Sequence, residues 1–73
     1  SYKSAIASKS EVNKFLNFII KGLDKKGFLQ PSHKRKSMIR NISNIFHRLN
    51  LSEQEIHILL GIFTTLNEFN NKS

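Results

Sequence analysis

Two helix-start signals constrain this chain to helical structure more than any other feature. Ser8-Lys9-Ser10-Glu11 and Ser52-Glu53-Gln54-Glu55 both match the capping box, in which a Ser hydroxyl and a Glu carboxylate each satisfy a free backbone N–H group. Leu51 and Ile56 flank the second box as a hydrophobic staple. The sequence therefore predicts one helix that begins near Ser8 and another that begins at Ser52.

Apolar spacing and turn residues define the first two helices. Gly27 predicts the end of the first helix as a Schellman stop, with Leu23 and Phe28 in apolar contact. Pro31 favours a new start, so the second helix is predicted over residues 32–49. The apolar stripes recur at helical spacing: Val12, Phe15, Leu16, Ile19, Ile20 and Leu23 in the first helix, and Met38, Ile39, Ile42, Ile45, Phe46 and Leu49 in the second.

The third helix is apolar over about 200° of its circumference, which is wider than a one-sided surface helix needs. Its apolar residues are Ile56, Ile58, Leu59, Leu60, Ile62, Phe63, Leu66 and Phe69. Either this helix packs between the other two, or it presents a second apolar face to a partner.

These signals predict an all-α fold, a compact three-helix domain with short loops. A chain of 73 residues makes one small domain. We expect residues 8–69 to form it, with residues 1–7 as a linker remnant and residues 70–73 as a flexible tail.

Composition excludes several classes of function. The chain has no Cys, which rules out disulfides and thiolate metal sites and agrees with a cytoplasmic location. No apolar run approaches the roughly 20 residues of a membrane span. We find no nucleophile elbow, no paired catalytic carboxylates and no Gly-rich phosphate loop, and His33, His47 and His57 do not form a metal-binding pattern. The sequence thus predicts no catalytic, cofactor-binding or metal-binding residue.

Positive charge is concentrated in the second helix. Residues 31–50 contain five Lys or Arg residues and no acidic residue, giving +5 of the net +7. They are Lys34, Arg35, Lys36, Arg40 and Arg48. Lys36, Arg40 and His47 lie nearly opposite the apolar stripe of that helix. A folded basic surface of this kind predicts a polyanion partner, most simply nucleic acid bound through phosphates. Because nearly every Phe lies on an apolar stripe, we expect no exposed ring for base stacking and no single-strand reading by this domain alone.

An ordered series of residues resembles the C-terminal helical domain of bacterial SpoU-class, TrmJ-type tRNA/rRNA 2′-O-methyltransferases. The series is Gly27-Phe28, Pro31, Lys34-Arg35, Met38, Asn41-Ile42, Ile45-Phe46, Arg48, Leu51, Glu55, Leu59 and Gly61-Ile62. The resemblance covers roughly residues 10–69. It implies a non-catalytic domain that helps an enzyme hold tRNA or rRNA. The same resemblance places S-adenosylmethionine, methyl transfer and homodimerisation in a separate catalytic domain of the parent chain.

The resemblance also implies candidate RNA contacts. Lys34, Arg35 and Arg48 match basic positions of the family pattern, while Lys36 and Arg40 are added from charge geometry and His47 as a phosphate or base contact. Leu60 departs from the pattern, since related sequences often carry Arg directly before Gly61. That departure reduces the expected RNA contact of the third helix and favours packing of its apolar face.

Two other functions are compatible with the residues. Three short helices, one of them basic, also fit a small helix-turn-helix DNA-binding domain. The broad apolar face of the third helix fits a protein-interaction or dimerisation module, for which Ile58, Ile62 and Phe69 are the residues that should be exposed.

Overall fold

A computed structural model describes residues 5–71, with side chains as far as Asn67, and it confirms the all-α prediction. The elements are α1 (Lys9–Lys25), a short 3-10 turn (Ser32–Lys34), α2 (Arg35–Arg48) and α3 (Glu53–Asn71). The second helical segment therefore begins with a 3-10 turn where a continuous helix was predicted. None of the helices in residues 5–71 is long and apolar enough to cross a membrane.

Both ends of α1 follow from local hydrogen bonds. The Ser8 N–H donates to Glu11 Oε1 at 2.8 Å, and the Glu11 N–H donates to Ser8 Oγ at 3.1 Å, which confirms the first capping box. At the other end, the Phe28 N–H donates to the Leu23 carbonyl at 3.0 Å and the Gly27 N–H to the Asp24 carbonyl at 3.1 Å. Gly27 has φ 75°, a left-handed value that glycine adopts without steric cost. These are the two bonds of a Schellman stop.

The start of α3 is fixed in the same way and is also tied to the N-terminal segment. The Ser52 and Glu55 bonds of the second capping box measure 2.9 and 3.1 Å, and Leu51 and Ile56 of the staple are both buried. The Glu53 N–H donates to the Ala5 carbonyl, and the Ala7 N–H donates to the Leu51 carbonyl. Residues 5–7, which the sequence assigns to a linker, thus lie against the α2–α3 turn.

The core is centred on α1, which packs against both α2 and α3. Phe15 is 1% exposed, and its ring lies 5.1 Å from that of Phe46 on α2 and 6.3 Å from that of Phe63 on α3. In the described part of the chain no Cα atom of α2 lies within 8 Å of a Cα atom of α3. Placing the third helix between the other two is therefore wrong, because α1 occupies that position.

The apolar stripe of α2 is only partly covered. Ile42 and Phe46 pack against the core, whereas Ile45 and Leu49 are about half exposed. The predicted second apolar face of α3 is present, since Ile58, Ile62 and Leu66 are 55%, 47% and 50% exposed. Phe69 lies outside the described side chains. A single layer of helices with extents of 44 × 30 × 15 Å leaves these faces open.

One buried residue was not predicted. Leu29 is 1% exposed although it lies in the connection after α1, outside any helical stripe. It follows the Schellman stop by two residues, so its burial depends on the direction in which the chain leaves Gly27, not on helical spacing.

We expect Leu16→Ala to lower the free energy of unfolding by about 2–4 kcal/mol, because Leu16 is buried in the core and its removal leaves a cavity. The matched control Leu66→Ala, at a half-exposed helical position, should cost less than about 1 kcal/mol. Urea denaturation followed by circular dichroism measures both. Equal losses would contradict a core centred on α1.

Candidate nucleic-acid interface

The predicted RNA-contact residues do not form one uniform surface. Lys34 lies in the 3-10 turn before α2, and the other five lie along α2. All are exposed except His47, which is half-buried. At 100° per residue, Lys36 and Arg40 fall within about 20° of His47 around the helix, while Arg48 lies about 100° away. Only Lys36 and Arg40 therefore combine exposure with a shared direction.

His47 contacts α1. Its Nε2 lies 3.1 Å from Asn13 Oδ1, so this side of α2 adjoins the polar side of α1. Asn13 and His47, together with Lys9, Asn44 and Asn50, line a hollow of about 380 Å3. The hollow brings three amide side chains beside the basic residues. Sequence reasoning missed this group because its members come from two helices and a turn.

Arg35 is not a free cation. Its Nε and Nη2 donate to the two carboxylate oxygens of Asp24 at 3.2 and 2.7 Å, which joins the start of α2 to the end of α1. This hydrogen bond and charge hold the pKa of Asp24 below its usual 3.8 and raise the pKa of Arg35. Both groups are exposed, so solvent screens the pair. The free positive charge near Arg35 is lower than the sequence suggests.

The expectation that no aromatic ring is exposed is wrong for Phe28. This side chain is 56% exposed, two residues beyond Lys26 and six before Lys34. Phe28 directly follows the left-handed Gly27, so its ring does not continue the buried stripe of α1. An aromatic residue directly after a Schellman glycine was the available signal.

Side chains that could ligate a metal do not cluster in the part of the chain that the structure describes. No group of three or more His, Asp or Glu side chains in that part of the chain could hold a metal ion. Glu11 and Glu55 are engaged in capping boxes, and the hydrogen bond from the Ser8 backbone lowers the pKa of Glu11. The exposed cations and amides can bind anions and hydrogen-bond acceptors.

The Asp24–Arg35 pair predicts a pH-dependent stability. Because folding lowers the pKa of Asp24, its contribution is present above its usual pKa of 3.8 and is lost as pH falls through the lower folded value. We expect the difference in unfolding midpoint between the wild-type chain and Asp24→Asn to shrink as pH falls from about 6 to about 2. The contribution of Glu11 to the pH dependence is the same in both proteins, so it cancels in the difference between their unfolding midpoints. Thermal melts across this range measure the difference, and a constant difference would show that the pair does not stabilise the fold.

One known protein family matches most of the chain. Residues 10–73 match the family described as tRNA methyltransferase TrmJ, C-terminal domain. Comparisons with curated proteins and with solved structures give no match. The family match includes α2, α3 and all of α1 except Lys9, and it contains every basic residue of α2. The chain therefore belongs to the family of C-terminal domains of the tRNA methyltransferase TrmJ.

Proposed function

We propose that this chain is an RNA-binding accessory domain that holds tRNA for a ribose 2′-O-methyltransferase and does not catalyse methyl transfer itself. The observation that carries the proposal is the exposed pair Lys36 and Arg40, on an acid-free helix of a tRNA methyltransferase domain. Their charges are not paired with any carboxylate in an ion pair of the described residues, unlike that of Arg35. Lys34 and Arg48 extend the contact along α2. Such contacts neutralise phosphates without reading sequence.

Catalysis and cofactor binding belong, in this proposal, to a separate domain of the parent enzyme. The cationic sulfonium of S-adenosylmethionine does not fit the cleft between α1 and α3, whose lining includes Lys21, Lys25 and Lys26 and no carboxylate. We therefore assign no residue of this chain to the cofactor. In this proposal dimerisation belongs to the catalytic domain. The enzyme takes rRNA as a second substrate and works in the cytoplasm.

The arrangement of helices argues against the helix-turn-helix alternative. That motif joins two neighbouring helices by a short turn, but no Cα atom of α2 lies within 8 Å of a Cα atom of α3 in the described residues. The following helix also begins with Glu53 and Glu55, which would repel DNA phosphates at the end that normally enters the groove.

We expect Lys36→Gln combined with Arg40→Gln to weaken tRNA binding about 10-fold at low salt and to reduce the salt dependence of binding. The control Lys14→Glu, at an exposed position of α1, also lowers the net charge by two and should change affinity less than about twofold. Titration of the 73-residue chain with labelled tRNA at two salt concentrations measures both. Equal losses would contradict a localised interface, and equal competition by duplex DNA would favour the DNA-binding alternative.

The exposed apolar stripe of α3 supports a second role as a protein contact. Ile58, Ile62 and Leu66 lie at four-residue intervals and are all about half exposed. Within this proposal the catalytic domain of the same parent chain covers the stripe, so that α2 faces RNA while α3 anchors the domain.

We expect Ile62→Glu to lower the melting temperature of the parent enzyme by several degrees, because the buried carboxylate would be unpaired in that contact. In the isolated 73-residue chain the same change should have little effect, since Ile62 is exposed there. Thr64→Glu is the matched control, because Thr64 is also exposed on α3 but lies about 160° from Ile62 around the helix. Equal shifts in both proteins for Ile62→Glu would refute the contact.

A further inference from the structure

A second basic site lies away from the basic side of α2, in a cleft between the C-terminal half of α1 and α3. The cleft has a volume of about 450 Å3 and is lined by Phe18, Lys21, Gly22, Lys25, Lys26 and Asn67. We refer to it as the lysine cleft. Its residues come from positions 18–26 of one helix and one position of another, so the sequence alone does not bring them together.

The lysine cleft has an uncompensated positive charge. Lys21, Lys25 and Lys26 are all exposed, and none forms an ion pair within the described residues. Asp24 is their nearest acidic neighbour in sequence, but its two carboxylate oxygens accept hydrogen bonds from Arg35 on the α2 side. The Asp24 carboxylate is thus engaged by Arg35, which leaves the lysines available to an anion.

An apolar recess adjoins the lysines. It has a volume of about 190 Å3 and shares Phe18, Gly22, Lys26 and Asn67 with the lysine cleft. Ile19, Leu23 and Phe63 complete its wall. The lysines suit a phosphate, the apolar and partly aromatic wall suits a flat ring, and the amide suits the hydrogen-bonding edge of that ring. A bare phosphate or an acidic peptide would make no use of the recess.

Gly22 keeps the floor of the lysine cleft open. A Cβ at this position would lie 3.4 Å from Asn67 Nδ2 and 3.9 Å from Asn67 Oδ1, so Ala fits and a larger side chain would fill the space. Glycine in a helix interior costs about 1 kcal/mol relative to Ala. Gly22 has no positive φ that would require glycine. A ligand that closely approaches the helix backbone would need the space that a side chain would fill, which gives a physical reason for glycine at position 22.

We propose that the lysine cleft binds one unpaired nucleotide of an RNA strand. Lys21, Lys25 and Lys26 contact its flanking phosphates, and the base lies against Phe18 with its edge within reach of the Asn67 amide. The inference rests on the proposed RNA-binding function and deepens it. In that proposal the basic side of α2 contacts only RNA phosphates, whereas the lysine cleft also contacts a base. It also reverses the expectation that this domain does not read single strands.

The test uses the 73-residue chain and a short single-stranded oligoribonucleotide that carries 2-aminopurine, whose fluorescence changes on stacking. We expect Gly22→Leu to weaken binding about 10-fold and to abolish the fluorescence change, as loss of one base–aromatic contact predicts. Gly61→Leu is the matched control, because a Cβ there meets no atom within 4 Å. Circular dichroism establishes that both variants remain helical.

A second pair of variants keeps the test decisive if Gly22→Leu disturbs the fold. Lys21→Gln with Lys25→Gln should weaken oligoribonucleotide binding about 10-fold, and Lys14→Glu, which also lowers the net charge by two, should not. Wild-type affinity in the lysine-cleft variants would overturn the inference. So would equal competition by a fully paired RNA duplex or by poly-glutamate, since neither presents an unstacked base together with phosphate.

The two proposals fail in different ways. If Lys36→Gln with Arg40→Gln abolishes tRNA binding while the lysine-cleft variants bind tRNA and the oligoribonucleotide normally, the inference is wrong and the accessory function stands. If the wild-type chain binds neither tRNA nor the oligoribonucleotide at low salt, both are wrong.

Discussion

The packing of Phe15 determines the arrangement of this domain. Its ring is almost completely buried and contacts Phe46 from one side and Phe63 from the other. Because the backbones of α2 and α3 do not approach each other in the described residues, their relative position depends mainly on their separate contacts with α1. Edge and tilted ring contacts add to the apolar area that Phe15 buries.

A central α1 explains why so small a domain has several distinct surfaces. Three helices in one layer about 15 Å thick cannot cover each other on all sides. A domain of this size buries a limited fraction of its surface in any arrangement. As a result, two of the six residues in the apolar stripe of α2, Ile45 and Leu49, and one face of α3 remain open. The polar side of α1 also meets α2 through Asn13 and His47, while its C-terminal half forms the lysine cleft with Asn67.

The Asp24–Arg35 pair changes which basic residues are available to bind a partner. Counted along the sequence, Arg35 is one of five equivalent cations in residues 31–50. In the fold it has a carboxylate partner from α1, so it joins two helices and contributes less to the field outside. Two groups of cations without a carboxylate partner remain among the described residues: the basic side of α2, and Lys21, Lys25 and Lys26 at the C-terminal end of α1. This division is consistent with two modes of RNA contact, one to the backbone of a strand and one to an unpaired nucleotide.

Local features of this protein were predictable from its sequence. The capping boxes at Ser8 and Ser52 and the Schellman stop at Gly27 each involve residues within five positions of one another. Chemistry over so short a distance is encoded directly, which is why the helix starts and the all-α class were correct. The family could be identified because its residues recur in order along the chain.

Only the tertiary structure decided which helix lies in the centre, that Arg35 is paired, that Leu29 is buried and that Phe28 is exposed. The lysine cleft belongs to the same class, since Gly22 and Asn67 are 45 positions apart in sequence. Helical periodicity shows which side chains share a face, but not which of two apolar faces finds a partner. That choice is made by packing between helices, because burial depends on what covers a residue as well as on its own polarity.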